Sequence, residues 1–191
     1  DLSEEEEKEM QRFYPVFCSN KEMTLWYGGM EVIGTTTFDG IAELFLEEEG
    51  ATLQYLYEFA FVDMTGDGQK ELVMRCGDLG SSVFVLLEDD GEFYISYFGI
   101  RWMQTVYEDG MYRGSGGAGT RVYLRLFFED GKLREEEIAC HNMRDIHVED
   151  AEDIVVFEGN VYGEEVNLEE FLQWEVEHTG NEVEWNEAVI F

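Results

Sequence analysis

The chain is poor in basic residues, in proline and in long apolar runs, and each shortage excludes something. Only 12 lysines and arginines face 44 aspartates and glutamates in 191 residues, a formal net charge of −32. So negative a surface repels nucleic acid and anionic lipid. It suits high solubility, cation binding or a basic protein partner, and most of the acids need do no more than stay solvated. A single proline rules out Pro-rich linkers. No apolar run approaches the roughly eighteen residues that cross a bilayer, so no membrane-spanning segment is expected. Cys18, Cys76 and Cys140 are few, odd in number and far apart, and no C-x-x-C occurs. Neither a zinc knuckle nor a redox pair is indicated, and reduced, buried thiols are expected. No sequence repeat of fixed period and no N-x-S/T sequon is found, which excludes a propeller or integrin-like array. The chain opens on Asp1 rather than Met, as expected of a processed or a trimmed chain, from which an export signal could have been lost.

What is present is enough for a core. Hydrophobic residues make up 45% and aromatics 15%, which predicts one folded domain over residues 1–191 rather than disorder.

One stretch has a spacing that chemistry explains better than packing: Asp63-Met64-Thr65-Gly66-Asp67-Gly68-Gln69-Lys70-Glu71. Calcium takes six to eight oxygens at about 2.3–2.6 Å, and a tightly curled loop supplies them from alternate positions. Asp63, Asp67 and Glu71 offer carboxylates, Thr65 a hydroxyl or a bridging water, and Gln69 its backbone carbonyl. Gly68 stands where a sharp turn leaves no room for a Cβ. An EF-hand needs a bidentate Glu at its twelfth position. That position is Met74, and the flanks (Tyr57–Val62 and Glu71–Cys76) read as strands rather than helices. The expected shape is strand, acidic loop, strand. A second reading of the same residues stays open: Asp63 and Asp67 close the turn through backbone amides, as Asx turns do.

The run Phe61-Val62-Asp63-Met64-Thr65-Gly66-Asp67-Gly68-Gln69-Lys70-Glu71-Leu72 resembles the D-x-[DNT]-G-D-G-x-x-E-L signature of FG-GAP/VCBS-type repeats. It is also similar to secreted proteins and lipoproteins of Gram-positive bacteria that carry a single such hairpin. The likeness covers about fifteen residues of the chain. Weaker likenesses lie at Gly114–Gly119 and Gly163–Phe171. Thr65 departs from the pattern, since many calcium-binding members have Asp or Asn there. The resemblance implies a calcium-stabilised hairpin and a secreted or cell-envelope location.

The rest of the chain reads as α+β: a helical N-terminal part (1–50), a β-meander with the acidic loop (51–143), and a hairpin with a last helix (144–191). Ser3 and Glu6 form a capping box, and Met10, Phe13, Tyr14 and Phe17 share one face of a helix over 3–18. A loop is expected at Gly28-Gly29 and a second helix over Phe38–Glu49. Strands follow from about Leu53, with Ser82–Leu87 apolar on both faces and hence central. Asp-Gly turns at 90–91, 109–110 and 130–131 predict hairpins. Thr120–Phe128 alternates with Val122, Leu124, Leu126 and Phe128 on one side. A loop is expected over Arg144–Asp153, and a small hairpin about Gly159-Asn160. A helix capped by Asn167 should turn Leu168, Phe171, Leu172 and Val176 inward and stop at Gly180; a closing strand over Glu187–Phe191 completes the pattern. The sum is one antiparallel meander of about seven to nine strands, with N-terminal helices and one C-terminal helix packed on it.

No catalytic motif emerges. Gly114–Gly119 fits G-x-G-x-x-G, but a strand rather than a helix follows, so a phosphate cradle is not expected. Cys140-His141 with His147 lacks any nucleophile signature, His178 belongs to a helix C-terminus, and three scattered histidines do not make a zinc site. Chance pairs of carboxylates are too common among 44 acids to mark a glycosidase. Trp26, Trp102, Trp174 and Trp185 fit core or core-edge positions better than a sugar platform. The leading expectation is a non-enzymatic, secreted or envelope module with one calcium-stabilised hairpin. The alternative is an acidic intracellular interaction or immunity protein that masks a basic partner, and a glycan hydrolase ranks last.

Overall fold

The computed structural model describes residues 2–28, 31–41, 56–76, 82–99, 101–117, 119–129, 132–146 and 154–187. The first helix, α1 (Glu4–Ser19), begins at the expected capping box: Ser3 Oγ accepts from Glu6 N, and Glu6 Oε2 accepts from Ser3 N at 2.8 Å. Pro15 lies inside α1, and its carbonyl accepts the Lys21 amide just past the left-handed Asn20. Next come β1 (Met23–Tyr27), β2 (Glu31–Thr36) and a short α2 (Phe38–Ile41). The acidic hairpin is β3 (Leu56–Val62) and β4 (Glu71–Cys76). It is followed by β5 (Ser82–Asp89), β6 (Glu92–Phe98), β7 (Thr105–Val106), β8 (Tyr112–Gly117), β9 (Thr120–Glu129) and β10 (Lys132–Ile146). The chain then forms β11 (Ile154–Val161), β12 (Glu164–Val166), α3 (Leu168–His178) and β13 (Asn186–Glu187).

These strands build two sheets, not one meander. The first has the order β13-β3-β4-β5-β6-β1-β2, the second β12-β11-β10-β9-β8-β7. The first is mixed, because β1 runs parallel to β6 (Thr24 opposite Tyr94, Tyr27 opposite Tyr97). The N-terminal part is therefore not wholly helical: its β1–β2 hairpin is added to the far edge of the meander.

Period-two alternation fixes the layers. On one face of the first sheet, Leu72, Met74, Phe84, Leu86 and Ile95 receive Met10, Phe13 and Val16 of α1. On the other, Val73, Val83, Val85 and Leu87 meet Val106, Tyr112, Leu126 and Leu133 of the second sheet. Both faces of β5 are covered, as its unbroken apolar run requires. Phe13 and Val16 are wholly buried, each contributing about 1.5–3 kcal/mol. A third cluster packs Phe171 and Trp174 of α3 on Tyr107, Tyr123, Ile138 and Ala139. The sequence of layers is helix, sheet, sheet, helix.

Several local expectations change. Tyr14 is 47% exposed, and Val16 takes its place in the core. Leu168, Leu172 and Val176 point outward; Phe171 is buried as expected, with Trp174 beside it. Gly159-Asn160 lies within a continuous β11, and the turn is at Tyr162-Gly163, both with positive φ. Residues 144–146 extend β10 rather than forming a loop, because they pair with β11 (Arg144 opposite Val156). The Gly-rich run is mostly strand, with a register shift between Gly114 and Gly117. Cys18 is exposed rather than buried. The rest of the second helix, the start of the strand expected from Leu53, the Asp130-Gly131 turn, His147 with the rest of the 144–153 loop, and 188–191 lie outside the described residues.

After α3 the chain runs along an edge of each sheet. Asn181 O accepts from Glu108 N at 3.0 Å, and Val183 N donates to Val106 O at 3.0 Å. Three residues later Asn186 and Glu187 pair with Phe59 and Glu58 of β3.

Candidate functional site

The acidic stretch is strand, loop, strand, as its flanks require: β3 and β4 pair from Val62 opposite Glu71 to Leu56 opposite Cys76. Inside the loop each acid serves the backbone. Asp63 Oδ1 accepts from Gly66 N at 2.7 Å and its Oδ2 from Gly68 N at 2.9 Å. Asp67 Oδ1 accepts from Gln69 N at 2.7 Å. Glu71 Oε2 accepts from Met64 N at 2.6 Å and Thr65 N at 3.2 Å, and the Thr65 hydroxyl lies 3.5 Å from Oε1. Gly66 and Gly68 take φ of +74° and +89°, the left-handed turn that Gly allows at little cost.

The three carboxylates thus share one loop but bond to different amides. Among the described residues no three His, Cys, Asp or Glu side chains gather as a ligand group. The amide-closing alternative describes the observed hydrogen bonds.

Glu71 is the unusual member. It is 4% exposed, and its pKa is pushed up to about 8. Burial is the main cause; the amide of Met64 opposes it, and the nearby charges of Asp67 and Asp63 add to it.

Two neighbours hold the loop. On one side Arg12 of α1 donates to Gln69 Oε1 at 3.2 Å and Lys70 O at 3.1 Å, while Lys70 pairs with Glu5 at 2.7 Å. On the other, the Tyr107–Met111 turn presses Gly110 (φ +81°) so closely that a Cβ there would overlap the Asp63 carbonyl oxygen. An open cleft of about 380 Å³ adjoins this contact, lined by Thr65, Gly66, Asp109, Arg125 and Glu136 among others. Its charges are largely satisfied: Asp109 and Arg125 pair at 2.6 Å, and Glu136 stands opposite Arg125 across β9 and β10.

Sequence reasoning did not anticipate two polar clusters in the second sheet. Glu135 accepts from the Tyr112 hydroxyl and from Trp102 Nε1 at 3.0 Å; burial raises its pKa and that of Tyr112. Glu175 of α3 accepts from the Tyr123 hydroxyl and from Arg121 at 2.8 Å. Neither shows a motif, because partners far apart in sequence meet only across the fold. Burial pushes the pKa of Cys140 up to about 11, which disfavours the thiolate a nucleophile needs. His141 is enclosed by Phe157 and Phe171, and burial lowers its pKa. Trp26 and Trp174 are core residues, and Trp102 and Trp185 pack at the core edge. No helix among the described residues is long and apolar enough to cross a membrane. No family model, no curated protein and no solved structure matches the chain.

Proposed function

We propose that the chain is a non-enzymatic interaction module whose acidic surface engages a basic protein partner. The observation that carries this reading is the distribution of charge. Arg12, Lys70, Arg75, Arg121, Arg125 and Arg144 are already paired with the protein's own acids. No lysine or arginine follows Arg144. The excess charge has no internal counterpart, and opposite potentials speed and orient association. The test is to reconstitute the protein with its co-purifying partner from pure components at low and high salt. A basic partner whose association constant falls steeply with salt supports the reading, and a neutral or acidic partner bound without salt dependence overturns it. A secreted or envelope location stays part of the proposal through the hairpin's resemblance; a signal peptide or lipobox encoded just before Asp1 would support it.

The calcium reading is kept for one reason: the charges of Asp63 and Asp67 bear on Glu71 within a single loop. A divalent cation there would relieve that repulsion, drawing on Asp63, Thr65, Asp67, Gln69 and Glu71, provided the carboxylates left the amides they now hold. Saturating calcium at about 100 times Kd adds roughly 2.7 kcal/mol of stability. Thermal unfolding in calcium against chelator decides it, and an unchanged Tm with no heat of binding at millimolar calcium removes the metal.

A further inference from the structure

We propose that α3 carries a preformed docking ridge for a basic amphipathic helix of another protein. This rests on the proposal of a basic partner and names where and in what conformation that partner sits. Leu168, Leu172 and Val176 are 40%, 47% and 82% exposed. They stand four residues apart, which in an α-helix makes a single row about 12 Å long. Rows of this spacing interdigitate with the same rows of a second helix in the commonest mode of helix packing.

The ridge is held in place by contacts that do not use it. The Asn167 capping box fixes the N-terminus, with Oδ1 accepting from Glu170 N at 3.0 Å. Phe171 and Trp174 anchor the opposite side in the core. Glu175 ties the flank to Arg121 and Tyr123. Little ordering is therefore left for a partner to impose, which removes a principal cost of association.

Charge selects the occupant. Glu169, Glu170 and Glu177 of α3 are exposed, as are Glu164 and Glu165 just before it in the chain. Among the described residues the one cation paired to α3, Arg121, is held by Glu175, and no lysine or arginine follows Arg144. A second copy would bring the same acids face to face. A helix with an apolar stripe and lysines or arginines beside it satisfies both the ridge and its rim.

The test uses the full chain and a synthetic leucine–lysine peptide of about eighteen residues with leucines at helical i, i+3, i+4 and i+7 spacing. A scrambled peptide of the same composition is the control. The ordered peptide is expected to gain helicity on binding and to shift the amide resonances of α3. The double variant Leu172→Ser with Val176→Ser, whose side chains are exposed and whose circular dichroism should match the parent, is expected to weaken binding at least about tenfold. Equal binding of the scrambled peptide, or no loss in the double variant, overturns the ridge while leaving charge attraction intact. Failure of both peptides to bind overturns the basic-partner reading as well. Concentration-dependent dimerisation abolished by the double variant assigns the ridge to a second copy and also overturns the proposal.

Discussion

Glu71 is a carboxyl group whose fold favours the proton. It ionises near 4.5 in an unfolded chain and near 8 in the native loop. The native state therefore binds its proton more tightly, and the associated stability is fully present below about pH 4.5 and is lost as pH rises towards 8. Glu71→Gln keeps an acceptor for the Met64 and Thr65 amides and cannot ionise. Thermal scans from pH 5 to 8 should show the parent losing Tm relative to the variant; parallel curves would refute the assignment. Asp63 acts differently, since its two oxygens hold Gly66 and Gly68 in their turn. Gly66 and Gly68 are exposed and Asp63 is half-buried, so water replaces part of what is lost, and Asp63→Ala should cost about 1 kcal/mol in chemical denaturation. The acid spacing that suggests a metal cage is thus also the spacing that lets carboxylates reach backbone amides, and hydrogen-bond geometry alone separates the two.

At the level of elements, Gly110 shows how the sheets constrain the loop. Gly110→Ala drives a methyl into the Asp63 carbonyl and strains a positive φ; a loss of more than about 2 kcal/mol is expected in urea unfolding. The two sides of α3 should respond oppositely to truncation. Phe171→Ala empties the third core cluster and should cost about 3–5 kcal/mol. Leu172→Ala removes no core contact and should stay within about 0.5 kcal/mol. The sequence announced both capping boxes, the acidic hairpin and the central β5, because each depends on residues close in the chain or on a full apolar run. It placed Phe171 correctly on the inner face of α3 but set Leu168, Leu172 and Val176 beside it and left out Trp174, because the row of aliphatic residues is apolar too and only the partner surface decides between faces. The parallel pairing of β1 with β6 left no local signal, and neither did the division into two sheets: β7 pairs with β8 by only two residues.

For the whole molecule, a net charge of −32 opposes compaction. Added monovalent salt screens that repulsion, so Tm should rise between low and moderate ionic strength; a falling Tm would show that the ion pairs outweigh it. The outer edge of β2 is guarded by a bulge: Leu25 pairs with Gly34 and Trp26 with Val32, leaving Ile33 without an opposite residue. Among the described residues β7 is covered by 181–183, and the other borders, β13 and β12, are very short, so little open edge is left for another strand to pair with.

The pairing of β13 with β3 also bears on how the protein is made. Asn186 is synthesised long after Phe59, its partner in the sheet, so the first sheet waits for this border strand while the hairpins between the two are already out of the ribosome. Until that moment β3 offers an unprotected flank to any neighbouring nascent chain, and a chaperone that shields it during synthesis would act in that interval.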